Sequence, residues 1–378
     1  MKEELLIKLA REQGTPLFIV DHEEIRENYR RFKEAFPTVQ VYYAVKANSA
    51  MEIIKTLFDL GSSFDVASYE EFREVKSLVK DWDNKKRRDF IFNSVIYSNT
   101  IKRTETLGKI KTFKPLVTFD NQDEIIKLKE HCATARLVLR VKVSDKDSLS
   151  ELNSKFGASP EEAVGLIQKA RDMGFSVEGI SFHVGSQCIN VDNYVQALGI
   201  VENISRKAAQ RGIEIKLVDI GGGFPVAYDS RAPQLKILAG VVNSEIRRLF
   251  NNRLKIIAEP GRFMAATSAT LVTQIIGKSR RGGKRFYYIN DGVYQTFSGV
   301  VFDRCQYHFH SFKKGRTEEC AVVGQTCDGF DKISLSEELP GELNIGDYLF
   351  TRNIGAYSIV SSTNFNGFPQ AKILHWNY

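Results

Sequence analysis

The chain has 378 residues, with 53 Lys and Arg against 46 Asp and Glu (net charge +7), 43% hydrophobic residues and 26% charged residues. At about 150 residues per domain this length implies more than one domain, and the apolar content is ample for a core. Disorder, a collagen-like chain and a disulfide-stapled miniprotein are therefore excluded.

The five cysteines, Cys132, Cys188, Cys305, Cys320 and Cys327, are an odd count at spacings unlike a zinc or C-x-x-C pattern. They suit a reducing cytoplasm, and no metal site is expected. The opening MKEELLIKLAREQG is charged at Lys2, Glu3, Glu4 and Lys8, so it reads as the start of an amphipathic helix and not as a signal peptide. No apolar run reaches the ~18 residues of a membrane span. A short strand, Pro16–Val20, comes next.

From residue 23 to 260 strands and helices alternate. Apolar, β-branched runs end at Val45, Val66, Phe92, Phe119, Val143, Phe182, Ile220 and Ala258. Between them, stretches such as Gln122–His131, Pro160–Met173 and Asp192–Gln210 carry apolar residues at three- and four-residue spacing. Two helix starts carry capping signatures: Asp21 with Glu24, and Ser159 with Pro160 and Glu162. Eight such units fit a parallel β/α barrel, with a doubly wound sheet as the alternative because periodicity does not show closure.

After about Ala266, the runs LVTQIIG, RFYYINDG, ECAVVGQTC, DYLFTRNIGAY and AKILHWNY are strand-like, between turns rich in Gly, Asp and Asn. They predict a separate all-β domain of sandwich or barrel type, which the early strand joins. The expected division is 22–266 for the barrel, with 1–21 and 267–378 forming the β domain. The basic clusters at 85–88 and 278–285 are short and are expected in solvated loops, so no nucleic-acid partner is expected.

Barrel chemistry sits at the carboxyl ends of the strands. The polar and glycine residues at those strand ends are Lys46, Asp65, Arg140, His183, Gly221-Gly222-Gly223 and Glu259-Pro260-Gly261-Arg262. Glycines after strands seven and eight let backbone N–H groups reach a phosphate, although a glycine triplet also serves as a tight turn. GGGFP opens no G-x-G-x-x-G helix, which argues against a dinucleotide. Lys46, leaving an apolar strand, can form a Schiff base or simply pair with Asp65. A lysine beside a phosphate cradle suggests pyridoxal phosphate (PLP). Glu259 would then face the pyridine nitrogen, or else pair with Arg262. His183 is either a core histidine or a flat ring stacked on the cofactor.

YYAVKAN, FDVAS, SKFG, HVGS, DIGGGFP, EPGR, NDGVY, FD, TCDGFD, GAYS and FNGF succeed one another along nearly the whole chain. In this order they resemble the fold-type III PLP decarboxylases, which share an alanine racemase-like (β/α)8 barrel. The resemblance implies a Schiff base at Lys46, ring stacking by His183 and phosphate binding by Ser186, Gly222, Gly223, Gly261, Arg262 and Tyr357. It also implies that Glu259 holds the pyridine nitrogen and that Asp65 and Arg140 lie beside the lysine and ring.

The family is a homodimer with shared sites, in which Lys155 pairs across the dimer. Cys327 and Asp328 come from the partner, Cys327 protonating the carbanion at Cα as a thiol can. The bland alternative for Cys327 is a buried small hydrophobe. Asp303 and Asp328, with Tyr294 in NDGVY, match the substrate-binding set around a terminal ammonium. The expected reaction is L-ornithine to putrescine and CO2, a step of polyamine biosynthesis, with L-lysine to cadaverine by the same chemistry.

Diaminopimelate decarboxylase is the alternative. Gln187 in HVGSQ leans that way, whereas Cys327-Asp328 stands where that group has Cys-Glu. A catalytically inactive regulatory homologue is the remote alternative, and retention of Lys46, Glu259, Arg262, Cys327 and Asp328 speaks against it. The pattern is broken by Gln325 in place of proline and by Val226 in place of the glycine that often comes after GGGFP. The motifs run almost to Tyr378, so no regulatory tail is expected.

Overall fold

The computed structural model describes residues 1–146, 148, 153–228, 232–251 and 253–378. Strand β1 is Leu17–Asp21. Next come β2 Val39–Ala44, β3 Ser63–Val66, β4 Val95–Tyr97, β5 Leu116–Phe119, β6 Arg136–Arg140, β7 Ser176–Ser181, β8 Leu217–Asp219 and β9 Lys255–Ala258. Among the described residues, β2 to β9 close into a barrel of eight parallel strands. β2 pairs with β3 at Tyr42↔Ser63 and with β9 at Val39↔Ile256, which completes the ring. Their runs are almost continuously apolar because parallel strands are covered on both faces. Tyr42, Ile96, Leu116, Val138, Leu217 and Ile257 form one buried cluster, one residue from each of six strands.

The helices obey their caps. Gln122–His131 lies where expected, and Pro160–Asp172 and Asp192–Ala209 each end one residue early. Ser159 Oγ accepts the Glu162 N–H at 3.3 Å and donates to the Glu162 carboxylate at 2.8 Å, a reciprocal cap. Asp21 does not engage Glu24 as the spacing suggests; its Oδ1 accepts the Glu23 N–H at 3.2 Å.

The strands expected to end at Val45, Phe182 and Ile220 end one residue earlier, the one expected to end at Val143 ends at Arg140, and one strand lies elsewhere than expected. Phe92 lies in helix Asn84–Ser94, and the third barrel strand is Val95–Tyr97. Asp83 Oδ1 accepts the N–H groups of Lys85 and Lys86, both at 2.9 Å, and starts the helix. Phe92 packs instead under Arg136, whose guanidinium carbon lies 3.6 Å from the ring centroid. The basic cluster at 85–88 is therefore helical. The cluster at 278–285 is also not a loop, because it forms a hairpin of β10 Ala269–Arg281 and β11 Lys284–Ile289. Gly282 and Gly283 make the turn with positive φ. Glu318 pairs with Arg280 and Arg285, and Glu319 with Lys284, which neutralises much of the hairpin's charge.

Two compact units result: 28–263, which holds the barrel, and 1–27 with 264–378. The second continues with β12 His310–Ser311, β13 Thr317–Val323, β14 Lys332–Pro340, β15 Tyr348–Arg352 and β16 Lys372–Trp376. Its eight described strands run β12-β15-β10-β11-β13-β14, with β1 pairing with both β10 and β16. The unit is mostly β. Helix Glu3–Gln13 covers it through Leu6, Leu9 and Ala10, which pack on Leu17, Ile19, Val272 and Phe350. Among the described residues no helix is long and apolar enough to cross a membrane.

Candidate active site

At the carboxyl end of the barrel, Lys46 lies in a single helical turn directly after β2, and its Nζ donates to Asp65 Oδ2 at the end of β3. The other oxygen of Asp65 accepts from Ser98 Oγ. The carboxylate is buried while the lysine side chain stays 38% exposed, so a fixed carboxylate holds a reachable amine in the mouth. Sequence reasoning misses Ser98, because a serine one residue past β4 carries no distinguishing signal.

His183 ends the next polar step. Its Nδ1 accepts the Gly185 N–H at 3.0 Å, which leaves the ring proton on Nε2. Burial, with the positive charges of Arg140 and Lys46 nearby, lowers its pKa well below the ordinary histidine value, so the imidazole is neutral. Asn153 Nδ2 donates to the His183 carbonyl at 3.0 Å and fixes the strand end.

The glycine triplet is a turn whose middle residue is tightly packed. Gly221 and Gly223 have φ of 64° and 94°, as a turn requires. Gly222 supplies the close approach: a Cβ there would lie 2.9 Å from the Glu259 carbonyl oxygen and 3.0 Å from His183 Nε2. Arg262 starts the helix after EPG. Its Nη2 donates to Ser186 Oγ at 3.0 Å and its Nη1 to Tyr228 Oη at 3.1 Å. Ser186, Gly222, Gly223, Gly261 and Arg262 are therefore gathered on the loops after β7, β8 and β9.

Arg262 thus points into this cradle and not at Glu259. The partner of Glu259 is Asp219, the strand-end residue of DIGGGFP, which no sequence signal distinguished from an ordinary strand terminus. Burial and the neighbouring carboxylates Asp219 and Asp65 raise the Glu259 pKa well above the ordinary value, while Lys46 opposes the shift. Burial also pushes Asp219 up, to about 7. Two acids so placed share a proton.

The mouth contains polar groups with unmet hydrogen bonds. Among the described residues, Glu259 Oε1, Arg140 Nε and Arg140 Nη2 are buried and have no hydrogen-bond partner. A carboxyl group with a free acceptor oxygen, a guanidinium and a glycine cradle around a lysine fit a phosphorylated, aldehyde-bearing ring that has a protonated nitrogen. The residues present therefore fit PLP.

The β unit holds the other candidate residues. Tyr294 Oη donates to Asp328 Oδ2, and the Phe330 N–H donates to Asp328 Oδ1 at 3.0 Å, which together lower the Asp328 pKa. The Tyr294 ring stacks on Phe365 at 4.3 Å. Cys327 is exposed, so the buried-hydrophobe alternative does not hold, and its N–H donates to Asn366 Oδ1 at 3.2 Å. Asp303 is buried at the end of the short helix Gly299–Phe302, with Cys305 Sγ at 3.6 Å from its carboxylate. Tyr357 is half-buried with a left-handed backbone (φ 53°).

Asp331, another residue without a sequence signal of its own, organises this set. It accepts the N–H groups of Val293 at 2.9 Å and Thr326 at 3.1 Å, and so ties NDGVY to TCDGFD. Lys155 is exposed, with its Nζ 5.0 Å over the Phe156 ring.

Residues 22–266 match the family model described as pyridoxal-dependent decarboxylase, pyridoxal binding domain. The chain belongs to the pyridoxal-dependent decarboxylases. The chain is 35% identical to a lysine/ornithine decarboxylase of Selenomonas ruminantium over 371 residues, covering 97% of this chain and 91% of the relative. It is 34% identical to antizyme inhibitor 2 of Xenopus laevis, covering 99% of this chain and 84% of that one. The lysine/ornithine decarboxylase of Vibrio vulnificus, solved as a complex with cadaverine, superposes with a TM-score of 0.90 at 31% identity, covering 99% of this chain and 98% of that one. The chain uses PLP, and its relatives include a decarboxylase of lysine and ornithine.

Proposed function

We propose that the enzyme decarboxylates L-ornithine to putrescine and CO2, and L-lysine to cadaverine by the same route. The observation that carries this reading is the Lys46–Asp65 pair in a mouth that also holds an unsatisfied buried carboxylate and the Arg262–Ser186–glycine cradle.

In this reading Lys46 holds the cofactor's aldehyde carbon, and Ser186, Gly222, Gly223, Gly261, Arg262 and Tyr357 hold its phosphate. Glu259 meets the ring nitrogen, His183 covers a ring face, and Asp65 and Arg140 lie beside the lysine and ring. When bound, PLP supplies an electron sink for the pair left on Cα as CO2 departs. The Asp65 anion, fixed by Ser98, keeps Lys46 in place. A neutral His183 would cover the ring face without adding a further positive charge beside Arg140. Cys327 delivers the proton to Cα, giving the amine.

Asp328, charged and steered by Tyr294, forms with Asp303 the pair of acids for the substrate's terminal ammonium. One methylene separates ornithine from lysine, worth about 1–3 kcal/mol in a pocket, so both are substrates.

We also infer a homodimer with shared sites. Phe302 is 69% and Phe330 61% exposed, flanking Asp303 and Cys327-Asp328. A cavity of about 400 Å³ beside them is lined by Val293, Val300, Val301, Gly329, Phe330 and Lys332. A second copy would cover this apolar surface and receive Cys327 and Asp328 in its barrel mouth. In this arrangement 22–266 acts as the cofactor domain and 1–21 with 267–378 as the domain that completes the partner's site. Five free cysteines suit a cytoplasmic location.

The likeness to an antizyme inhibitor favours one competing reading, a binding protein without catalysis. Against it, Lys46, Glu259, Arg262, Cys327 and Asp328 are all present. The deciding experiment offers L-ornithine, L-lysine, L-arginine and meso-diaminopimelate to PLP-loaded enzyme and identifies the amines by mass spectrometry. Putrescine with cadaverine is expected. Lysine from meso-diaminopimelate would establish the diaminopimelate alternative, and failure of the purified protein to bind PLP would revive the binding-protein reading.

A further inference from the structure

Gln187 and Val226 lie 39 residues apart in the sequence and meet in one contact. Gln187 directly succeeds the cradle serine with a left-handed backbone, φ 54°. Its Nε2 donates to the Val226 carbonyl at 2.5 Å, and the Val226 N–H donates to its Oε1 at 2.9 Å. A primary carboxamide carries a donor and an acceptor in one plane, so it satisfies both backbone groups of one residue at once. Alongside, the Cys188 N–H donates to the Gly223 carbonyl at 2.8 Å. The loop after β7 is thus stitched to the loop after β8.

Arg262 grips the same two loops from the other side, through Ser186 and Tyr228. Ser186 precedes Gln187, and Tyr228 lies two residues beyond Val226. The spacing of the two arms held by Arg262 is therefore set by the Gln187 clamp. Hydrogen-bond donors fixed in advance bind an anion more tightly than donors that must be ordered on binding.

We propose that Gln187 is a positioning residue for the phosphate of PLP, its carboxamide locking the 221–226 loop to the 183–188 loop so that Ser186, Gly222, Gly223 and Arg262 act as one preformed set. This rests on the cofactor reading above. It assigns a task to a residue that touches neither substrate nor the reacting carbon.

The test is Gln187→Gly in the full-length enzyme. Glycine accepts φ 54° without strain, so the substitution removes the carboxamide and leaves the backbone free to keep its course. Cofactor-depleted protein is titrated with PLP and, separately, with pyridoxal, which keeps the aldehyde and ring but lacks the phosphate. PLP is expected to bind about tenfold more weakly, pyridoxal within about twofold of the unsubstituted enzyme, and kcat at saturating PLP is retained. Equal weakening of both ligands, or of neither, overturns the proposal, because Gln187 would then act on the fold at large or on nothing.

Gln187→Met keeps the bulk and loses both hydrogen bonds. It gives the same readout if the glycine variant is too unstable to titrate. If the unsubstituted enzyme itself binds PLP no better than pyridoxal, the cradle reading fails and the proposal falls with it, independently of any variant.

Discussion

Replacing Glu259 by glutamine tests the electronic core of the proposed mechanism. The side chain is buried beside Asp219 and keeps the same length, and its backbone N–H stays bonded to the Gly221 carbonyl at 2.8 Å, so the loop is not disturbed. What changes is the charge that Glu259 carries once a protonated ring nitrogen stands beside it, since without that cation it shares a proton with Asp219. At about 4 Å and an effective dielectric of about 20, one unit charge is worth about 4 kcal/mol to a positive partner. The glutamine carbonyl retains a neutral hydrogen bond worth about 1 kcal/mol. The difference of about 3 kcal/mol, at about 1.36 kcal/mol per decade, predicts a kcat lower by about a hundredfold.

The assay is diamine formation at saturating PLP, with cofactor occupancy read from its absorbance. Occupancy is expected to stay near complete, since Lys46 and the phosphate cradle are untouched. A kcat within about threefold of the unsubstituted enzyme at full occupancy would refute the assignment of Glu259 to the ring nitrogen. Loss of cofactor from a folded variant would refute it differently, by making Glu259 a binding group and not an electronic one.

Lys46→Ala and Cys327→Ala should each abolish or strongly reduce amine formation, since one removes the cofactor's attachment point and the other a proton donor. Refolded together as random dimers they should recover about a quarter of the original activity, because half of the dimers carry one intact shared site; no recovery would place all catalytic groups of a site on one chain. Burial raises Asp291 from its ordinary 3.8 to about 7, although it accepts N–H groups from Gly292 and Thr296. Its folded pKa is above its unfolded one, so the folded chain binds more protons and stability falls as pH rises from about 4 to about 7. At about 1.36 kcal/mol per pH unit the cost is on the order of 4 kcal/mol, and Asp291→Asn should melt higher than the unsubstituted protein at pH 8 and match it near pH 4. Melting curves at both pH values check this, and a parallel offset at both would refute the titration account.

How legible the protein is from its sequence depends on the range of the interaction concerned. Helix Gln122–His131 and the cap Ser159–Glu162 are readable because caps and periodicity act within one or two turns. The apolar runs of the barrel strands are readable because a strand covered on both faces needs little else. Local rules fail where a distant group decides the outcome. The apolar run at Phe90–Phe92 looks like a strand, but Asp83 starts a helix there, and Arg136, 44 residues on, receives the ring of Phe92. β14 escapes notice because its pattern is broken, with Leu335 exposed and Glu337 buried, and only pairing with β13 makes it a strand.

The candidate site divides in the same way. The residue types and their order along the chain are a matter of sequence, since the chemistry needs a lysine, a carboxylate, glycines and a thiol at strand ends. Their partners are decided only by the fold. Arg262 turns to Ser186 and Tyr228 and leaves Glu259 to share a proton with Asp219. Gln187, which in the sequence only leans toward the diaminopimelate alternative, becomes a clamp on Val226. A side chain's identity sets which bonds it can make, whereas burial and the approach of distant loops decide which of them it does make.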